Sequence, residues 1–111
     1  MAVSSVTALE AIALTEGGTW LLDVREQDEW NRGHAPAARL VPLSELGARI
    51  AELPMDQRVL VVCLAGARSL RAATALEGAG VDAVDVAGGM RAWSSADGPL
   101  VSDGAETARV E

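Results

Sequence analysis

The chain of 111 residues contains no Phe, no Tyr and only three Trp. With so few rings, the core has to be filled by Leu, Val, Ile and Ala, small aliphatic groups that favour close packing of helices on a sheet. There is a single cysteine, Cys63, which excludes an internal disulfide and fits a reducing compartment. Basic residues are outnumbered 9 to 16, for a formal net charge of −7, and they form no stripe. That balance argues against nucleic acid and against an anionic membrane surface as partners. A small anionic substrate would have to be attracted locally, by a few donors working against the global field. No apolar run approaches the length of a membrane span. The opening "MAVSSVTALEAIALTEGG" has no basic region and carries Glu10 and Glu16 through its apolar stretch, unlike a signal peptide, so a cytoplasmic location is expected.

What is present reads as one α/β domain, since the length cannot give two domains a core each. Thr7 and Glu10 have capping-box spacing, and Leu9, Ile12 and Ala13 give a short helix an apolar face until Gly17-Gly18. "TWLLDV" (19–24) reads as a strand buried on both faces, and "REQDEWNRG" as a short helix or turn anchored by Trp30. "ARLVPL" makes a second strand ended by Pro42, after which Leu43, Leu46, Ile50 and Leu53 recur at helical spacing up to Pro54. "RVLVVC" is the clearest strand, followed by a helix over 69–79 with Ala72, Ala73, Leu76 and Ala79 on one face. "VDAVDVAGGMRAW" adds a strand, a glycine turn and a last short helix held by Trp93. Strands alternating with helices at this spacing predict a doubly wound parallel sheet with helices on both faces. The expected domain spans 4–101, with 102–111 a flexible tail lacking periodicity.

Cys63 falls at the carboxyl end of a strand and just before a helix, the place where doubly wound sheets bind ligands. Gly66 permits the tight turn that Leu64 to Arg68 must make. The backbone N–H groups of Leu64, Ala65, Gly66, Ala67, Arg68 and Ser69 then converge, and with the helix start and the Arg68 guanidinium they would stabilise a thiolate or bind an anion. Leu64, Ala65 and Ala67 offer no acid, base or metal ligand, so the loop suits chemistry with a good leaving group. Two structural readings compete with this one. Cys63 packs as a small hydrophobe in one, and in the other Arg68 makes an ordinary surface ion pair.

The segment Cys63-Leu64-Ala65-Gly66-Ala67-Arg68-Ser69 resembles the Cys-x-x-Gly-x-Arg-Ser loop of single-domain rhodanese-like sulfurtransferases. "LLDVREQDEW", "GHAPAA" and "VAGGMRAW" follow that family's order and spacing from about residue 6 to 101. Two departures are visible: Ala37 stands where the family usually has Gly, and the loop lacks the extra basic residue that some thiosulfate-using members carry beside the cysteine. The resemblance implies a sulfurtransferase in which Cys63 is the nucleophile. It takes the outer sulfur of a small anionic donor such as thiosulfate as a persulfide and passes it to cyanide, a thiol or a sulfur-accepting protein. Leu64, Ala65, Gly66, Ala67, Arg68 and Ser69 form the substrate-binding cradle, and no cofactor or metal is implied. It further implies structural roles for Asp23 and Arg25, holding neighbouring loops as an ion pair, and for His34, capping a turn.

Rival functions remain at this point. Cysteine phosphatases and arsenate reductases also cradle an oxyanion between strand and helix, but with five residues between Cys and Arg. Here there are four, Leu64 to Ala67, and the narrower ring suits a single sulfur atom. A non-enzymatic persulfide carrier would share every residue named, with Leu64 and Ala65 as contacts for the partner, whereas the presence of Cys63 and Arg68 disfavours an inactive protein-binding module. One Cys and one His in separate segments do not supply the clustered ligands a metal needs. Trp20, Trp30 and Trp93 read as core or rim anchors.

Overall fold

Thr7 caps the first helix as its spacing predicts: its hydroxyl accepts the Glu10 N–H at 3.1 Å, and the Glu10 carboxylate accepts the Thr7 N–H at 2.9 Å. The computed structural model describes residues 3–111. Its strands are β1 (Ser5–Val6), β2 (Trp20–Asp23), β3 (Ala38–Leu40), β4 (Arg58–Val62) and β5 (Asp82–Val86). The α-helices are α1 (Ala8–Glu16), α2 (Gln27–Arg32), α3 (Leu46–Arg49), α4 (Ala67–Gly78) and α5 (Gly89–Ser95). All strand pairs are parallel, in the order β1-β5-β4-β2-β3.

The two-residue period of the strands sorts the core into two layers. Leu22, Val24, Val59, Val61 and Cys63 pack with Leu46, Ala72, Ala73 and Leu76 of α3 and α4. Leu21, Leu60, Val62, Val84 and Val86 pack on the other face with Ala11, Met90 and Trp93 of α1 and α5. A sheet covered on both sides explains why its strands read as unbroken aliphatic runs.

Four elements differ from the sequence expectation. α1 buries Ala8 and Ala11, while Leu9 and Ala13 of the expected apolar face are exposed and Ile12 is half-buried. β1 is an added edge strand, only two residues long, which pairs Ser5 with Asp85 and Val6 with Val86. The segment 43–53 is a single α-helical turn between two 3-10 turns, Leu43–Glu45 and Ile50–Glu52, rather than one helix. Gly47 lowers helical propensity there, and the tighter turns still bury Leu46 and Leu53. α4 begins at Ala67, two residues earlier than its periodicity predicts, because Gly66 takes the cap position and the chain is helical at once. Its buried face is Ser69, Ala72, Ala73 and Leu76, while Ala79 is exposed.

Residues 102–111 run back beside α2. Asp103 N–H donates to Asn31 O at 3.1 Å, Arg109 N–H donates to Arg32 O at 2.9 Å, and Val110 packs at the edge of the α1/α5 layer. No helix among the described residues is long and apolar enough to cross a membrane.

β4 pairs on both sides, and Leu60 at its centre is wholly buried. Leu60→Ala is expected to lower unfolding free energy by about 2–5 kcal/mol, the range for a buried Leu whose cavity closes only partly. Urea denaturation measures this as a lowered midpoint with an unchanged slope.

Candidate functional site

The chain leaves β2 toward β3 and leaves β4 in the opposite direction, toward β5, so the adjacent carboxyl ends of β2 and β4 form a topological switch point. Val24 N–H donates to Val62 O at 3.0 Å, which sets the segment after β2 directly beside Cys63.

Cys63 is 1% exposed. Its sulfur accepts the Gly66 N–H at 3.0 Å, and its thiol points to Ser69 Oγ at 3.3 Å. The Ser69 hydroxyl donates to Asp85 Oδ1 on β5 at 2.6 Å. Gly66 holds φ at +119°, a conformation that side chains rarely adopt, and this lets the loop close in so few residues.

The loop carbonyls are drawn the other way. Met90 N–H donates to Cys63 O at 2.7 Å and Arg91 N–H to Leu64 O at 3.0 Å, so the first turn of α5 finds partners for two of its free amides. This contact needs Gly89: a Cβ there would stand 2.5 Å from Cys63 O and 2.6 Å from Leu64 O. With these carbonyls bound to α5, the loop is braced from behind. Ala65 and Ala67 are exposed and Leu64 is half-buried, forming a rim without charge.

Arg68 turns to α2. Its two terminal nitrogens donate to the two carboxylate oxygens of Glu29 at 2.7 and 2.8 Å, an end-on pair in which Glu29 is 13% exposed. Glu29 also accepts the Glu26 N–H at 3.0 Å. The Arg68 hydrogen bonds hold the Glu29 carboxyl down at about 2; burial opposes this, while the Glu26 amide and the charges of Arg68 and Arg25 add to it. Glu29 in turn keeps Arg68 more firmly protonated, and the guanidinium also feels Cys63 and Asp23.

Asp23 and Arg25 form an ion pair that is wholly buried, at 2.9 Å. Arg25 Nε donates to both Asp23 oxygens, at 3.1 Å each, and Nη2 donates to Gly33 O at 2.8 Å, which ties β2 to the end of α2. Arg25 Nη1 is buried without a partner. His34 stacks on Trp30, with ring centres 3.6 Å apart; its Nδ1 lies 2.9 Å from Trp30 O and its Nε2 3.8 Å from Asp103. None of these contacts involves the Cys63 loop.

The structure therefore gathers Cys63, Gly66 and Ser69 in direct contact, lines the rim with Leu64, Ala65 and Ala67, and sets Arg68 at the side. Two residues at the site escape sequence reasoning. Glu29 has a weak local signal, the spacing of three from Glu26 at a helix start, and Asp85 has a clearer one, a carboxylate inside an otherwise aliphatic strand.

The Glu29–Arg68 pair carries a pH dependence of definite sign. Because the folded-state carboxyl lies below its ordinary 4.5, the pair's stabilisation is complete above that value and is lost as pH falls toward 2. Glu29→Gln is expected to cost about 1 kcal/mol at pH 7, with the gap from the parent narrowing as pH is lowered from 4.5. Urea unfolding of both proteins across pH 7 to pH 3 measures the gap; one that stays constant would show that Glu29 is not held ionised by Arg68.

The Rhodanese-like domain family matches residues 7–96. Thiosulfate sulfurtransferase 18 of Arabidopsis thaliana is 38% identical over 114 residues, covering 88% of this chain and 83% of its own length. The probable adenylyltransferase/sulfurtransferase MoeZ of Mycobacterium tuberculosis is 40% identical over 77 residues; the match covers 67% of this chain but only 20% of that longer protein. The crystal structure of a rhodanese-related protein from Thermoplasma volcanium superposes with a TM-score of 0.82 at 32% identity, covering 88% of this chain and 97% of the other. The family match over most of the chain, the identity to these relatives and the superposition of the fold agree, and the chain belongs to the rhodanese-like domain family.

Proposed function

We propose that this domain is a sulfurtransferase, with Cys63 as its nucleophile. The observation that carries the reading is the placement of the sulfur: it ends the central strand, accepts the Gly66 N–H at 3.0 Å, and faces a loop whose only charged member is Arg68. Relatives named as sulfurtransferases support it.

In the first half-reaction the Cys63 thiolate attacks the outer sulfur of a donor such as thiosulfate. A bond forms from Sγ to that sulfur, the donor S–S bond breaks, and the electron pair leaves on sulfite. Cys63 is left as a persulfide. In the second half-reaction a thiolate or cyanide attacks the outer sulfur and Sγ leaves as thiolate. No proton has to be moved by the protein in either step, which agrees with a rim of Leu64, Ala65 and Ala67 that has none to give. The loop amides from Leu64 to Ser69 cradle the outer sulfur, and Arg68 contributes positive charge from the side. The four-residue spacing between Cys63 and Arg68 favours this over phosphoryl or arsenate chemistry, whose oxyanion needs a wider ring.

Incubation with thiosulfate or another sulfane-sulfur donor is expected to add one sulfur atom to the protein. Dithiothreitol or cyanide should remove it, and Cys63→Ser should not acquire it; intact-mass spectrometry reads all three. An unmodified mass for folded protein with every donor would leave Cys63 as a core residue. Cys63-dependent hydrolysis of p-nitrophenyl phosphate at a rate equal to sulfur transfer would replace this reading with the phosphatase one.

A further inference from the structure

The charges around Cys63 cancel. Asp23 neutralises Arg25, which is wholly buried, and Glu29 binds both terminal nitrogens of Arg68. Beyond the sulfur, the Ser69 hydroxyl is committed to the Asp85 carboxylate, a further negative group. Leu64, Ala65, Gly66 and Ala67 carry no charge, and Arg91 beside the loop is exposed, where solvent and salt screen it. A dianion approaching this mouth meets, apart from exposed Arg91, only cations already paired with a carboxylate, on a chain of net charge −7.

We propose that Glu29 determines donor choice: by holding Arg68, it disfavours dianionic thiosulfate relative to a small-thiol hydropersulfide, R–S–SH, whose reacting form is uncharged. The proposal rests on the sulfur-transfer reading of Cys63. With a hydropersulfide the Cys63 thiolate attacks the outer sulfur, the R–S to SH bond breaks, and the pair leaves on R–S⁻, giving Cys63–S–SH. The leaving group then carries one negative charge, where sulfite carries two. Arg68 feels the charge at Cys63 while it is paired with Glu29.

Glu29→Gln is the informative variant, because its amide oxygen can still accept the Glu26 N–H while the charge that holds Arg68 is gone. Rate constants for persulfide formation on Cys63 are to be measured by intact mass, at fixed ionic strength, with thiosulfate and with the hydropersulfide of 2-mercaptoethanol. The ratio of thiosulfate to hydropersulfide kcat/KM is expected to rise about tenfold in Glu29→Gln, through one freed charge-assisted contact. Glu29→Asp, which keeps the charge but shortens the reach, should move the ratio the same way by less, and it serves if the first variant does not fold. In an Arg68→Ala background Glu29→Gln should produce no rise, a coupling that a merely structural role for Glu29 would not generate. A ratio that is unchanged or lower, or a rise that persists without Arg68, overturns the proposal even though Cys63 accepts sulfur. If neither donor modifies Cys63 in the parent, the sulfur-transfer reading itself falls, and this proposal with it.

Discussion

The site depends on one strand pairing. β2 and β4 lie parallel with Asp23 opposite Val62, and the ladder continues one step further, through the Val24 N–H to the Val62 carbonyl. A shift of one residue would turn Cys63 and Val24 to the opposite face and separate Arg25 from the segment that holds Gly33. The register is strongly specified because both faces are buried: Leu22, Val59 and Val61 have to meet α3 and α4, while Leu21, Leu60 and Val62 have to meet α1 and α5. Core packing thus fixes the position of the sulfur, and local loop chemistry only refines it.

On that frame sit two layers of charge with different physics. Asp23 and Arg25 are both fully out of water, so removing either partner would leave an uncompensated buried ion, a loss of about 3–5 kcal/mol. The pair braces the loop after β2 and ties it to Gly33 at the end of α2. Glu29 and Arg68 are closer to the surface, with Arg68 about one-third exposed, so their attraction is partly screened and their partnership can be exchanged at smaller cost. A wholly buried inner pair thus lies beneath a partly exposed outer one.

Glycine at two positions makes the loop possible. Gly66 takes a positive φ so that α4 can start four residues after the cysteine. Gly89 lets α5 come within hydrogen-bonding distance of the Cys63 and Leu64 carbonyls, where any side chain would strike the backbone. The loop is held by backbone contacts from both sides, and its side chains stay free to be small and uncharged.

Much of this was legible in the linear sequence because it is local. The aliphatic run "VLVV" ending in Cys63, the capping spacing of Thr7 and Glu10, the apolar face of α4 and the glycines that end and join elements each act within a few residues of themselves. Strand alternation with helices determined the doubly wound class, since few other arrangements cover so aliphatic a sheet on both faces. β1 escaped because two residues show no period; it exists only where β5 offers it an edge. The partner of Arg68 escaped for a related reason. Glu29 is 39 residues away, and nothing near Arg68 distinguishes it from the other carboxylates. Asp85 likewise meets Ser69 across 16 residues only because β5 lies next to β4. Local pattern determined which groups the chain possesses and where its elements begin; the order of strands in the sheet decided which of those groups face one another.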